Sequence, residues 1–202
     1  MREAEPAGYP PSTMELPRGP RRRDLALAGG WLLLDQATKF LAERAFAQPV
    51  TVIPHCLRFA LSHNRGALFG FLSAAPDPWR GILLTVLPVL AIVGIAWLLL
   101  RAPLHERYGR LGLALILGGA AGNVIDRLLH GHVIDFIDVY AGWETLGRPL
   151  VRLFGTNRWP TFNVADIGLT CGAALLFFEV FLRRSPRGGG DGKDGDGVSV
   201  RR

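Results

Sequence analysis

Cysteine is scarce in this chain of 202 residues, which has only two, Cys56 and Cys171. They lie far apart in different hydrophobic contexts, so the sequence predicts neither a disulfide framework nor a thiolate metal site. His130 and His132 could supply imidazole ligands beside the carboxylate of Asp135. No third histidine or paired cysteine supports that set as a zinc site. We therefore expect no metal ion and no cofactor.

A continuous basic stripe is also absent. The net charge of +6 comes from 23 Lys and Arg against 17 Asp and Glu. Such a balance suits nucleic acid, anionic lipid, or the arginine flanks that orient membrane helices. The arginines are divided among short segments and are not interleaved with exposed aromatics, so we expect no nucleic-acid partner.

Apolar residues are abundant, at 49% of the chain, and the mean hydropathy is +0.23. Four apolar runs are close to the roughly 20 residues that a helix needs to cross a bilayer. They cover residues 25–46, 81–100, 111–129 and 162–182. The first run resembles a signal peptide, but charged residues stand between its core and a possible cleavage site. We therefore predict four transmembrane helices in a mainly α membrane protein.

The arginine flanks predict the orientation of these helices. Arginines precede the first run, separate the second from the third, and follow the fourth, at Arg18, Arg21, Arg22, Arg23, Arg101, Arg107, Arg110, Arg183, Arg184 and Arg187. Short basic segments mark the cytoplasmic side, so both termini are expected there. Residues 1–23 and 185–202 read as disordered tails around a four-span domain at 24–184. VTVI and LRFAL, after the first run, predict a small outward-facing sheet.

Polar residues within the runs collect in one leaflet. The first, third and fourth runs bring Asp35, Lys39, Asn123, Asp126, Arg127, Asn163 and Asp166 to the outer side, and Asp135 follows the third run. Ionisable residues within membrane spans are functional candidates because they are costly to bury. The convergence predicts a site, or at least a polar cluster.

Structural roles compete with catalytic ones for several of these residues. Asp35 and Lys39 could form an ion pair four residues apart on one helix face. Asp126 could pair with Arg127, and the two asparagines could bond helix to helix. We expect Asp138 to face water. Neither Asp135 nor Asp166 has a lysine or arginine within four positions along the chain.

Five sequence blocks, taken in order, resemble those of bacterial lipoprotein signal peptidase, or signal peptidase II. They are DQATK from Asp35, NRGALFGF from Asn64, GNVIDR from Gly122, VIDF from Val133 and FNVAD from Phe162. The resemblance implies a membrane-embedded aspartic endopeptidase of the bacterial inner membrane, with its active site at the outer face. It implies cleavage of diacylglyceryl-modified prolipoproteins just before the lipidated cysteine, by a monomer among membrane lipids.

The resemblance also implies roles for individual residues. The catalytic pair falls on Asp135 and Asp166. Substrate-binding or supporting roles fall on Asp35, Lys39, Asn64, Gly66, Asn123, Asp126, Arg127, Asn163 and Ala165. The stretch between the two aspartates is longer than the family pattern, so residues 140–160 predict an enlarged outer lid segment.

Two other classes of protein remain open at this stage. A proton-coupled membrane transporter would use intramembrane charges as relay groups, but it predicts polar residues near the midplane and an internal repeat. A non-catalytic membrane assembly protein would use the Gly and Ala residues of the third run only to pack helices. The second class would tolerate loss of the Asp135 carboxylate.

Overall fold

A computed structural model describes residues 22–65, 77–103 and 105–184, without the side chains of residues 77–82, 183 and 184. The predicted tails lie outside these ranges, except that Arg22 and Arg23 begin the first helix. The predicted site residue Gly66 is also outside them. The division of the chain into tails and one domain therefore stays a prediction.

Five helices and three strands make up the described part of the chain. The helices are α1 (Arg22–Ala45), α2 (Asp77–Arg101), α3 (Arg107–His130), α4 (Glu144–Phe154) and α5 (Val164–Arg184), and the strands are β1 (Val50–Ile53), β2 (Leu57–Asn64) and β3 (Val133–Val139). Three of these helices contain stretches long and apolar enough to cross a membrane, at Leu83–Arg101, Arg107–His130 and Val164–Leu182. The prediction of a mainly helical membrane protein with a small sheet is confirmed.

Glycines allow α3 to lie very close to α1 and α5. A Cβ atom on Gly118 would come within 2.5 Å of the Ala28 carbonyl oxygen in α1. Gly112 of α3 and Gly172 of α5 face each other, and a Cβ on either would come within 2.6 Å of the other's carbonyl oxygen. Small residues give membrane helices the close packing that the hydrophobic effect cannot supply within lipid. α3 is therefore the central helix of the bundle.

The three strands form an antiparallel sheet in the order β1-β2-β3. β1 and β2 match the sheet predicted from VTVI and LRFAL, whereas β3 was not predicted as a strand. Ser62 pairs with Asp135, and Asn64 pairs with Val133. The sheet thus brings the end of β2 beside the candidate catalytic residue of β3.

A buried ionic cluster joins the helices at the end of the bundle opposite the aspartate pair. Arg110, at the start of α3, bonds to the Asp24 carboxylate at the start of α1. It also donates a 2.7 Å hydrogen bond to the carbonyl of Ala102, just after α2. The Gly109 amide donates to Glu179 of α5 at 3.2 Å. Arg110, counted above among the flank arginines, is fully buried.

Residues 140–160, predicted as an enlarged lid, contain the short helix α4. Gly147 packs against the Ala141 backbone with no room for a side chain. Gly155 ends α4 in the left-handed conformation that glycine adopts without strain, at φ 75°. The added chain length thus forms an ordered helix next to the sheet.

Candidate active site

Asp135 lies on β3, almost completely buried, with one amide donor on each carboxylate oxygen. Asn64 Nδ2, at the end of β2, donates to Oδ2 at 3.0 Å. Asn163 Nδ2, just before α5, donates to Oδ1 at 2.8 Å. Three separate segments therefore fix the position of this carboxylate.

Asp166 lies in the first turn of α5 and is half-buried. The Asn163 side chain accepts a 3.0 Å bond from the Asp166 amide, and the Asp166 carboxylate accepts a 3.2 Å bond from the Asn163 amide. This reciprocal pair has the arrangement of a capping box, which satisfies free N–H groups at a helix start. Asn123 Nδ2 of α3 donates to the other Asp166 oxygen at 2.9 Å. The same local motif thus begins the helix and positions the carboxylate.

The environment of Asp135 favours its protonated form. Burial raises the pKa of Asp135 from an ordinary value near 3.8 to about 7. The hydrogen bond from Asn64 lowers this pKa, while the negative charge of Asp166 raises it further. A carboxyl group with a pKa near neutrality can exchange a proton at physiological pH, which is what general acid–base catalysis requires.

Lys39 organises the polar groups behind the aspartate pair. Its Nζ lies 2.8 Å from Asp35 Oδ2 and 2.8 Å from Asp126 Oδ2, and it donates to Asn123 Oδ1 at 3.0 Å. The predicted pairing of Asp35 with Lys39 is confirmed. Asp126 finds its cation in Lys39 of another helix rather than in the neighbouring Arg127.

The carboxylates paired with Lys39 also hold the backbone beside each candidate catalytic residue. Asp35 Oδ1 accepts a 2.8 Å bond from the amide of Ala165, which precedes Asp166. Asp126 Oδ2 accepts a 3.1 Å bond from the amide of Ile134, which precedes Asp135. One buried lysine therefore links the supports of both aspartates.

Arg127 supplies positive charge near Asp135 and Asp166 but, among the described residues, bonds to neither of them. Its guanidinium donates to the Asn123 carbonyl at 3.3 Å, and its charge acts on both Asp166 and Asp135. The predicted polar cluster, from α1, α3, β3 and the start of α5, is thus assembled, together with Asn64 of β2. Its placement in the outer leaflet stays a prediction.

Gln36 belongs to the same network and was missed by the sequence analysis. Its Nε2 donates to Asp126 Oδ1 at 3.0 Å, Asp35 Oδ2 at 3.2 Å and the Gly122 carbonyl at 3.3 Å. The available signal was its place in DQATK, next to Asp35 in an otherwise apolar run. Its partners on α3 could not be read from local spacing.

The prediction that Asp138 faces water is wrong. Asp138 is 2% exposed, and its Oδ2 accepts bonds from Arg58 at 2.5 Å and from Arg158 at 2.6 Å. Arg58 reaches it across the β2–β3 pairing, and Arg158 comes from the segment after α4. The two ion pairs make this group a structural link between β2, β3 and the segment after α4.

Three histidine rings meet near the start of β3. His132 lies 4.5 Å from His63 and 5.9 Å from His130, measured between ring centroids. Within the described ranges, no group of three or more His, Cys, Asp or Glu residues has a geometry that could hold a metal ion.

Two carboxylates held by amide donors at one end of apolar helices fit the class of membrane-embedded aspartic endopeptidases. The comparisons agree. Residues 27–182 match the family described as Signal peptidase (SPase) II. The chain is 42% identical to the lipoprotein signal peptidase of Ralstonia nicotianae over 163 residues, which cover 79% of this chain and 84% of that protein. It is also 42% identical to the lipoprotein signal peptidase of Burkholderia mallei over 154 residues, which cover 75% of this chain and 83% of that protein.

Two solved structures share the fold at 23% sequence identity. Both are described as bacterial membrane enzyme structures obtained by the in meso method. The one at 2.3 Å resolution has a TM-score of 0.67 and covers 91% of this chain and 98% of its own. The one at 1.9 Å resolution has a TM-score of 0.63 and covers 81% of this chain and 96% of its own. The family match over residues 27–182 and the 42% identical relatives show that the chain belongs to the signal peptidase II family, and the peptidase hypothesis replaces the transporter and assembly hypotheses.

Proposed function

We propose that this chain removes signal peptides from diacylglyceryl-modified prolipoproteins by cleaving just before the lipidated cysteine, and that Asp135 and Asp166 are its catalytic pair. One observation carries the assignment of the pair. Both carboxylates are bonded directly to amides, while the described neighbours Asp35, Asp126 and Asp138 each bond to a lysine or arginine.

The chemistry follows from two interacting carboxyl groups that share one proton. Peptide hydrolysis needs an activated water and a proton for the leaving amine. The ionised carboxylate takes a proton from a water molecule while the oxygen of that water attacks the scissile carbonyl carbon. The protonated partner donates a hydrogen bond to the carbonyl oxygen. When the carbon–nitrogen bond breaks, the pair gives the leaving amine the proton that it took from water, and it keeps the one proton that it shared at the start. The acid and base roles belong to the coupled pair, so neither is assigned to one residue.

The neighbouring residues are proposed to position this pair. Asn64, Asn123 and Asn163 hold the carboxylates by the bonds described above. Lys39, Asp35 and Asp126 hold the adjacent backbone, with Ala165 acting through its amide. We propose that the positive charge of Arg127 partly offsets the negative charge of the pair. We also propose that Gly66 contacts substrate, as the family resemblance implies.

Four membrane spans are proposed, because α1 runs alongside α3 over the same depth. Asp24 of α1 meets Arg110 of α3 at one end, and Lys39 of α1 meets Asp126 of α3 at the other. At 1.5 Å per helical residue, the stretch from Asp24 to Lys39 is about 23 Å long. Its charges are paired inside the bundle, which lowers the cost of placing them in a bilayer.

The proposed setting is the bacterial inner membrane, with both termini cytoplasmic and the aspartate pair at the outer face. A lipidated substrate is held in the leaflet because each buried methylene contributes roughly 0.8 kcal/mol. Its acyl chains would thus bring the scissile bond to the depth of the pair. The proposed enzyme is a monomer, with residues 140–160 as its outer lid.

The experiment is cleavage of a diacylglyceryl-modified prolipoprotein by the purified full chain, with mass analysis of the products. Asp135→Asn and Asp166→Asn should each reduce cleavage by at least about a hundredfold, since general acid–base groups contribute roughly 10²–10⁴ to rates. The exposed carboxylate of Glu43 supplies a matched control, and Glu43→Gln should cleave normally. Normal processing by either aspartate variant would remove that residue from the mechanism. A non-lipidated substrate should remain uncut.

A further inference from the structure

A large apolar trough lies between α4 and the end of β3, apart from the aspartate site. Its volume is about 720 Å³, within the roughly 300–1,000 Å³ range of small-molecule pockets. Leu146, Leu150 and Phe154 of α4 form one wall, and Tyr140 and Trp159 stand among the residues of the others. None of its lining residues belongs to the candidate active site. The trough therefore needs an explanation of its own.

The sequence of α4 puts its apolar side chains on the flank that borders the trough. Leu146, Leu150 and Phe154 recur every four residues and share a face. Glu144 and Arg148 lie on the polar flank, where they form an exposed pair at 3.0 Å. A helix divided in this way lies in the plane of a membrane interface, with its apolar flank toward the acyl chains.

Several of these apolar residues would be unfavourably placed in water. Leu153 and Phe154 are about three-quarters exposed, at 75% and 72%, and Trp159 is 69% exposed. Contiguous exposed apolar surface on a protein marks a binding site or a contact with membrane. Trp143 and Trp159 flank the helix, and tryptophan is enriched at the level of lipid headgroups.

A site of net positive charge adjoins the trough. Arg58 and Arg158 both bond to the single carboxylate of Asp138, so the three groups carry a net charge of +1. The Tyr140 ring lies 5.9 Å from the Arg58 guanidinium and 5.3 Å from that of Arg158. Tyr140 and Arg158 also line the trough. A guanidinium can bind phosphate through two parallel hydrogen bonds, so this end of the trough suits an anionic headgroup.

We propose that the trough binds an anionic phospholipid of the surrounding leaflet, with an acyl chain against α4 and its phosphate on Arg158 and Arg58. The charge distinguishes this occupant from the lipid of the substrate. A diacylglyceryl group linked to cysteine carries no phosphate and would leave the net positive charge unmatched. The bound phospholipid fastens α4, and with it residues 140–160, to the membrane beside the active site.

The test is native mass spectrometry of the full chain released from nanodiscs that contain equal parts of dioleoylphosphatidylglycerol and dioleoylphosphatidylcholine. We expect a retained phosphatidylglycerol adduct. Leu150→Trp fills the trough and should abolish the adduct, whereas Leu153→Trp makes the same substitution outside the lining residues and should keep it. Arg158→Gln should lower the preference for phosphatidylglycerol about fivefold, since one arginine near an anionic lipid contributes on the order of that factor.

Thermal unfolding in detergent and prolipoprotein cleavage show whether each variant is folded. Absence of a phosphatidylglycerol adduct on the wild-type chain would overturn the proposal. Retention by folded Leu150→Trp, or equal retention of both lipids, would do the same. Displacement of the adduct by a diacylglyceryl-modified peptide would show instead that the trough holds the substrate lipid. Because the readout is bound lipid, it is independent of whether Asp135 and Asp166 catalyse cleavage.

Discussion

At the scale of single residues, the direct bonding partner separates the carboxylates of this chain into two groups. Asp35 and Asp126 share Lys39, Asp24 bonds to Arg110, and Asp138 bonds to two arginines. A cation within bonding distance favours the ionised form of a carboxylate more strongly than a neutral amide donor does. Where only amides bond to a carboxylate, burial can be the largest influence on its pKa, as it is for Asp135. The proposed catalytic pair is thus distinguished by the absence of a directly bonded cation among the described residues.

The pH dependence of cleavage tests this environment. The pKa of Asp135 is raised to about 7, so the proton shared by the pair is lost as the pH rises through that value. Cleavage should therefore decline on the alkaline side with a midpoint near pH 7. The bond from Asn64 lowers this pKa because it stabilises the ionised form, so Asn64→Ala should move the midpoint to higher pH.

The measurement is the initial cleavage rate between pH 5 and 10, with substrate well below saturation. Asn157→Ala is the control, since Asn157 bonds to the Ala141 carbonyl away from the pair. Its profile should match that of the unmodified chain. A midpoint that moves to lower pH in Asn64→Ala would contradict the proposed effect of the hydrogen bond.

At the scale of elements, one buried side chain connects α1 to α3. Lys39 is 2% exposed and bonds to two carboxylates that are themselves fully buried. Removal of one partner from a buried ion pair typically costs about 3–5 kcal/mol, because the remaining charge has no compensation. Lys39→Met should therefore lower the free energy of unfolding by about that amount and reduce cleavage.

Chemical denaturation in detergent micelles measures this loss of stability. Arg148→Met is a matched control, because Arg148 is 70% exposed in its pair with Glu144 and such surface pairs contribute about 0–1 kcal/mol. If the two variants lost equal stability, the ion pairs of Lys39 would not stabilise the contact between α1 and α3.

Glycine contacts determine how closely α3 and α5 approach. A Cβ on Gly172 would meet both the Gly112 carbonyl oxygen and Ile116 Cγ1 at 2.6 Å. Gly172→Leu should separate the helices and lower the free energy of unfolding by about 1–3 kcal/mol, the usual cost of overpacking. Gly94→Leu should be close to neutral, because a Cβ there meets nothing within 4 Å. Thermal unfolding in detergent tests both, and equal stability of the two variants would argue against close packing at Gly172.

At the scale of the whole molecule, two polar clusters mark the ends of the helical bundle. Asp24, Arg110 and Glu179 lie at one end, and Lys39, Asn123 and Asp166 lie at the other. The three helices that carry these residues are apolar between the clusters except for a few side chains. This pattern matches a bilayer, because the hydrocarbon core excludes polar groups that have no partner.

Reporter fusions test the proposed orientation. Alkaline phosphatase is active only outside the cytoplasm, so its insertion after Thr156 should give activity and a C-terminal fusion should give none. A C-terminal green fluorescent protein should fluoresce in the same cells. Phosphatase activity from the C-terminal fusion would contradict four spans with cytoplasmic termini.

Sequence alone determined the helices and the order of the motifs. Apolar runs predict α1, α2, α3 and α5 to within a few residues, because crossing a bilayer depends on length and local composition. The Asp35–Lys39 pair was also predictable, since four residues bring two side chains together on any helix. The family resemblance was sufficient to propose Asp135 and Asp166 as the catalytic pair, which stays a prediction.

Tertiary structure decided which charges meet. Lys39 reaches Asp126 on another helix, Asn64 reaches Asp135 across two strands, and Asp138 is buried between two arginines from distant segments. No local spacing encodes these contacts, because each depends on how helices and strands pack. The burial that raises the pKa of Asp135 is likewise a property of the assembled site. The sequence thus supplied the carboxylates, and packing alone decided which of them bond to amides and which bond directly to a lysine or arginine.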